Sequence, residues 1–476
     1  MSDDARRTEY ISPFSARYAS LEMSYLFSAH HKITLFRKLW IALAQAQQKL
    51  GLPIKNSQIA AMKKAAAEID FAKVREYEKK FRHDVMAHIH AFGDLCPTAK
   101  PIIHLGATST YVTDNGDLIQ MKEALQLLHR KLIHILRLLA TFAKTHARSP
   151  CLGFTHYQSA QPTTIGKRAT LWLQDFYLDA QEWERLASQL PFLGAKGATG
   201  TQSSFLSLFK GDVNKVIKLE ALIAKDFGFT KVLSISGQTY SRKLDLNILN
   251  ALESFAASAH KMATDIRLLS HDGELAEGFG KTQVGSSAMP YKRNPIYSER
   301  ICGIARFVMS LAQNPAYTLA TQWLERTLDD SSNKRLAIPE AFLGADAILN
   351  LTAHLLSSLT ASPQTALSRL QEQIPQLAME NILMAAVNKG GDRQALHEKL
   401  RKISSAAQKK GDPLKFLLAE IEKDSDFGLK RQEIKPLLSI PSLIGRAEGQ
   451  TIAFLKEEIN PYLSKRKKGP FPPVEI

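Results

Sequence analysis

The sequence predicts an all-α protein of three domains, built around a central bundle of long helices. Two observations predict it. From Asp114 onward, Leu118, Met121, Leu125, Leu128, Leu132, Ile135, Leu139 and Phe142 step by three and four residues without a break. That spacing lays one apolar seam along a helix. Equivalent seams recur at Leu173, Phe176, Ala180, Trp183, Ala187 and Leu190, and at Leu252, Phe255, Ala259, Met262, Ile266 and Leu269. On either side of this region the pattern changes. Residues 101–110 are turn-rich, and after Pro363 the apolar runs shorten, with breaks at Gly390, Gly391 and Gly411. The expected domains are therefore 1–108, 109–361 and 362–476.

Taken in order, residues 12–108 read as helices separated by turns. A run from His31 to Leu50 stops at Gly51 and Pro53, and a second ends near Phe92 and Gly93. The first long seam, followed to about Ala147, spans on the order of 50 Å at the rise of an α-helix. Residues 194–200 read as a turn. No Gly-Lys-Ser/Thr follows to make a phosphate loop, and no strand-borne GxGxxG is present. Further helices are expected over 296–322 and 339–360, the latter with Pro339 near its first turn. Helices this long leave apolar faces that partner chains would cover.

At 476 residues, with 45% hydrophobic and 23% charged residues, the chain is an ordinary globular one. No apolar run approaches the roughly 20 residues of a membrane span. Residues 1–7 lack the apolar core of a signal peptide. Cys96, Cys151 and Cys302 are far apart and odd in number, so they read as buried thiols of a reducing compartment. A cytoplasmic protein is expected, with no membrane partner. The net charge of +16 suits an anionic ligand, with a basic helical nucleic-acid binder as the alternative from another class. The charge is spread along the chain, and the one dense block, residues 465–468, reads as a solvated tail. No nucleic-acid partner is expected. His83, His88 and His90 make a poor metal site, because residues two apart face away from each other on a helix. No metal and no cofactor are expected.

Residues 281–295, KTQVGSSAMPYKRNP, form a polar loop between apolar runs. Gly285 allows a turn, and Pro290 and Pro295 forbid a regular helix. Ser286, Ser287, Lys292 and several backbone N–H groups stand close together there. Such a loop could hold an alkoxide or a carboxylate.

The run Gly-Ser-Ser-x-Met-Pro-x-Lys-x-Asn-Pro within this loop resembles the signature of the aspartase/fumarase superfamily, the lyases that release fumarate. The resemblance runs in order from Ser12 to about Leu463. It implies a three-domain, all-α fumarase/aspartase-like fold. It also implies a homotetramer whose central helices bundle together and whose sites are each built from three chains. The chemistry implied is a β-elimination: a base takes a proton from the carbon beside a carboxylate, and an acid protonates the leaving nitrogen.

The resemblance assigns the base to Ser286, with Ser287 open as the alternative, and the acid to His156 in Gly-Phe-Thr-His-Tyr-Gln. Histidine holds and delivers a proton near neutral pH. Glu299 matches a carboxylate that orients a histidine. Arg82, His83 and Asp84 match a substrate-binding run, with His83 near a phosphate. Arg17, Tyr18, Thr108, Ser109, Gln238, Lys292, Arg300, Arg326, Ser331 and Arg335 match further substrate-binding positions. As a set they suit a small-molecule nucleotide substrate with two carboxylates and a phosphate, which Arg binds in bidentate fashion.

Overall fold

The computed structural model describes residues 10–280 and 282–467. Residues 1–7, Lys281 of the signature loop and Lys468 of the basic block lie outside the described residues. The described chain is almost wholly helical. Its first part holds α1 (Leu21–Leu26), α2 (Ala29–Lys49), α3 (Asn56–Ala65), α4 (Phe71–Phe81) and α5 (Asp84–Leu95). Side-chain oxygens start several of these. Ser20 and Ser28 accept the N–H groups of Met23 and His31, and Asp70 accepts those of Ala72 and Lys73.

The centre is a bundle of α6 (Ser109–Thr145), α7 (Ile165–Gln189), α10 (Lys243–His271), α11 (Ile296–Leu311) and α13 (Asp329–Ser358). Between them lie the short α8 (Ser203–Leu208) and α9 (Val213–Asp226), and α12 (Gln313–Ala320). The 37 residues of α6 extend over about 55 Å. All of its expected seam from Leu118 to Leu139 is buried, and Phe142 is half-buried. The seams on α7 and α10 are buried as well. One continuous apolar core runs through α2, α6, α7, α10, α11 and α13, and takes in Leu455, Ile459 and Leu463 near the chain end. A separate, smaller core lies around Ile382, Leu396, Leu417 and Ile434. It is built from α14 (Pro363–Leu377), α15 (Met379–Asn388), α16 (Arg393–Ala407), α17 (Pro413–Lys423) and shorter turns.

Four expectations need correction. The helix expected over 296–322 is two, broken at Ala312. The helix expected from Pro339 begins ten residues earlier, with Asp329 and Asp330 in its first turn, where carboxylates favour the N-terminal dipole. Pro339 therefore sits inside α13 and leaves the Arg335 carbonyl without its helical donor. This same helix is long and apolar enough to cross a membrane, yet 83% of its most apolar window is buried inside the protein, as in a core helix. Finally, Lys465 and Lys467 of the basic block are exposed as expected, but Arg466 is only half-exposed and packs on the protein. Its guanidinium pairs with Glu184 at 2.6 Å and lies 3.5 Å from the centre of the Tyr462 ring.

Two small antiparallel pairs complete the chain. β1 (Pro150–Thr155) pairs with β2 (Gln158–Thr164), and β3 (Leu275–Ala276) with β4 (Thr360–Ala361). The first pair is a hairpin that the helical reading of the sequence passed over.

Candidate active site

The signature loop folds back on itself. A Cβ on Gly285 would come 2.0 Å from the Lys292 carbonyl oxygen, so no larger residue fits the turn. The Asn294 side-chain N–H donates to the Gly285 carbonyl at 2.9 Å, and the Lys292 N–H to the Met289 carbonyl at 3.0 Å. Within this turn the Ser286 hydroxyl oxygen accepts the N–H groups of Ala288 (3.3 Å) and Met289 (3.1 Å). Two amide dipoles thus point at that oxygen and favour negative charge on it. Ser286 is half-buried, whereas Ser287 and Lys292 are exposed.

The loop leads straight into α11, whose first turn carries Glu299, with Arg300 next. Pro295 stands before that helix and offers no side-chain acceptor. Glu277 supplies one: its carboxylate accepts the Tyr297 and Ser298 N–H groups and the Ser298 hydroxyl, at 2.6–3.0 Å. The sequence offers no signal for this role, because the cap comes from 20 residues upstream. Glu299 is exposed, and one buried Nη1 of Arg300 has no hydrogen-bond partner among the described residues.

His156 lies at the exposed tip of the β1–β2 hairpin. It and Tyr157 form a two-residue turn with both φ angles positive, 53° and 57°. Such a turn matches the twist of the strands but normally takes Asn or Gly. Its sequence, Thr-His-Tyr-Gln, therefore hides it. Arg168 from α7 braces the hairpin, donating to the Leu152 carbonyl and lying over the Phe154 ring.

Arg82 closes α4 in the left-handed conformation, and His83 starts α5. The His83 Nδ1 accepts the Met86 N–H at 3.3 Å, which leaves Nε2 to face outward. Asp84 receives Arg335 from α13 at 3.2 Å, so the first part of the chain is tied to the bundle here. Gln238 and Arg326 meet through a 3.0 Å hydrogen bond from the guanidinium. The backbone behind them is close-packed: the Gln238 N–H donates to the Glu325 carbonyl, and a Cβ on Gly237 would lie 2.6 Å from that oxygen. Ser331 follows in the first turn of α13. Thr108 precedes the first turn of α6, which Ser109 opens, and the Thr108 hydroxyl is bonded to that of Thr110. Arg17 and Tyr18 lie side by side, the guanidinium 5.6 Å from the ring centre.

The structure thus joins Asp84, beside Arg82 and His83 in sequence, to Arg335, and Gln238 to Arg326. Among the described residues, no hydrogen bond or ion pair joins His156, Ser286 or Lys292 to either group. No group of three or more His, Cys, Asp or Glu residues among the described residues is placed to hold a metal ion.

Two family models match the chain: Lyase over residues 18–310, and Adenylosuccinate lyase C-terminus over residues 375–454. The adenylosuccinate lyase of Saccharomyces cerevisiae is 44% identical over 465 residues, covering 96% of each chain. The chain belongs to the adenylosuccinate lyase family. The family member from Schistosoma mansoni is 45% identical and that from Pyrococcus abyssi 32%, over 96% and 85% of this chain. Solved structures share the fold at lower identity. A 3-carboxy-cis,cis-muconate lactonizing enzyme from Pseudomonas putida superposes with a TM-score of 0.80 at 22% identity, covering 94% of this chain and 99% of its own. A fumarate lyase from Mesorhizobium superposes at 0.79 and 23%, covering 93% and 99%.

One feature of this family member was not legible in its sequence. A buried charge network lies where α6, α10 and α13 begin, directly behind the Gln238–Arg326 pair. Arg242 is its hub, bonded to Asp114 at 3.0 Å and to Asp330 at 2.5 Å. Asp114 also accepts the Tyr240 N–H, and the Tyr240 hydroxyl donates to Asp245 at 2.6 Å. Lys334 reaches Asp117 at 3.0 Å. Burial alone would lower the Arg242 pKa, but the surrounding carboxylates raise it, so the guanidinium stays charged. For Asp117, burial is outweighed by Lys334 and Lys32, which hold its carboxyl down at about 2. Asp114, Asp245 and Asp330 are scattered along the sequence, and each alone resembles an ordinary helix charge.

Proposed function

We propose that the protein cleaves adenylosuccinate to AMP and fumarate by β-elimination, and the related succinyl-aminoimidazole-carboxamide ribotide to AICAR and fumarate. It does so as a cytoplasmic homotetramer without a cofactor, with domains at 1–108, 109–361 and 362–476. The likeness to curated adenylosuccinate lyases over 96% of both chains carries this reading.

In this reading Ser286 is the base. Serine is a weak acid, and the two N–H groups aimed at its oxygen, with Lys292 in the same loop, stabilise the alkoxide that takes the proton from carbon. His156 delivers a proton to the leaving nitrogen. Arg82, His83 and Arg335 take the phosphate. Lys292, Arg300, Arg326 and Gln238 take the carboxylates, and the unpartnered Nη1 of Arg300 suits such a ligand. Thr108, Ser109, Ser331, Arg17 and Tyr18 complete the substrate contacts. The exposure of His156, Lys292, His83 and Arg335 in one chain fits sites assembled from several chains.

An ultraviolet assay of purified protein tests this. AMP and fumarate should form in equal amounts from adenylosuccinate, with no fumarate from argininosuccinate. A protein that binds adenylosuccinate without turnover would refute the enzymatic reading.

A further inference from the structure

The segment carrying Arg17 and Tyr18 has little structure of its own. It is a five-residue helical turn, Phe14–Tyr18, that passes through extended Ala19 into α1. Four contacts dock it on α13. The Ser12 hydroxyl donates to Glu340 at 3.0 Å, and Phe14 lies against Gly344, where an added Cβ would come 3.3 Å from its ring. The Asn350 side-chain N–H donates to the Tyr18 carbonyl at 3.3 Å, and the Ser20 N–H donates to Asp346 Oδ2 at 2.6 Å.

Behind these last two contacts stands α6. Its Lys131 ammonium donates to Asp346 Oδ1 at 2.5 Å and to Asn350 Oδ1 at 2.9 Å. Asn350 also donates to Asp346 Oδ2 at 3.2 Å. Lys131 and Asp346 are 0% exposed and Asn350 is 4% exposed. A buried ion pair is a weak source of stability, and apolar residues of similar size serve a core as well or better. Here the second carboxylate oxygen and the amide N–H group are turned outward from the bundle onto the backbone on both sides of Ala19. That geometry fixes where the arm leaves the bundle, and so where the Arg17 and Tyr18 side chains stand.

We infer that Lys131, Asp346 and Asn350 are a positioning triad that holds Arg17 and Tyr18 in place at the substrate site. The inference rests on the proposed reading that those two residues contact substrate. None of the triad takes part in proton transfer. Loosening it disturbs contacts made equally in the ground and transition states, so it weakens substrate binding and leaves the chemical step alone.

The test uses the assembled enzyme with Asn350→Ala, Arg17→Ala and the double variant. Asn350→Ala keeps the Lys131–Asp346 pair, and Asn350→Ser, which keeps an acceptor for Lys131, serves if the alanine variant fails to fold. Asn350→Ala should raise KM for adenylosuccinate about five- to tenfold, the loss of its one hydrogen bond to the arm, with kcat within about twofold. The double variant should raise KM by less than the product of the two single effects, because both changes share the Arg17 contact while Tyr18 remains. Amide hydrogen exchange over residues 12–20 should quicken in Asn350→Ala. Unchanged exchange, an unchanged KM, or fully additive effects would each overturn the triad's role. If Arg17→Ala keeps the parent KM, the substrate role of Arg17 falls, and the site half of the inference falls with it. A raised KM in Arg17→Ala beside unchanged exchange in Asn350→Ala overturns the triad alone.

Discussion

At the scale of single residues, the account depends on two side chains that a stability argument would ignore. Ser286 and His156 sit on a loop and a hairpin tip, and neither is part of the core. Ser286→Ala removes a hydroxyl that caps a turn, so it should cost well under 1 kcal/mol of stability and leave the circular dichroism spectrum unchanged. Turnover of adenylosuccinate should nevertheless fall by roughly 10² to 10⁴, as expected for losing one proton-transfer group. Near-normal turnover would move the base to Ser287. The signature made Ser286 legible in the sequence, but its two N–H partners were not, because they depend on how residues 285–292 fold back. A different residue gives a prediction of opposite character. Asp179 is buried between α7 and α10, where it accepts the Ser254 hydroxyl, and burial pushes its pKa up to about 6. The folded carboxyl therefore holds its proton more tightly than the unfolded one does. Its contribution to stability is full below about pH 4 and is lost as the pH rises through 6. Asp179→Asn should raise the melting temperature at pH 7–8, with the gain shrinking to nothing near pH 4. Thermal scans across that range check it.

Among elements, the long helices were the most legible part of the chain. The seams of α6, α7 and α10 are periodic over many turns, and periodicity survives any local exception. Boundaries were harder. Pro339 looked like a first-turn proline, but Asp329 and Asp330 start the helix earlier, and the surrounding core tolerates the missing hydrogen bond. The β1–β2 hairpin was illegible because Thr-His-Tyr-Gln carries no Gly or Asn at its turn. The signature loop yields the sharpest element-scale test. Gly285→Ala places a Cβ against the Lys292 carbonyl, so the turn must open. We expect activity to fall at least tenfold while the melting temperature moves by only a few degrees. A fully active Gly285→Ala enzyme would show that the folded-back loop does not serve catalysis. The charge network gives the complementary case. Arg242→Met leaves Asp330 buried without its cation and Asp114 with only Lys334 at 3.9 Å, and should cost about 3–5 kcal/mol in denaturant unfolding. A loss under 1 kcal/mol would mean that the network is not closed in solution.

The whole molecule raises the question of what covers its remaining apolar surface. Trp323, Leu324, Leu328 and Leu336 cluster along the run into α13 and its first turns, and Leu324 is 97% exposed. Large apolar side chains exposed this close together in sequence are the kind that a partner chain covers in the proposed tetramer. Light scattering should give a mass near four times 53.0 kDa, and a stable, active species at 53.0 kDa would contradict the tetramer. The sequence pointed to partner chains through its surplus of long amphipathic helices, but it could not say which residues of a site come from which chain. Mixing two inactive variants decides that. Ser286→Ala and His156→Ala tetramers are dissociated, mixed and reassembled, and fumarate release from adenylosuccinate is measured. If Ser286 and His156 of one site belong to different chains, mixed tetramers contain some sites with both groups intact, and up to about a quarter of the parent activity should return. Mixtures that reassemble fully yet stay as inactive as either variant alone would contradict the account.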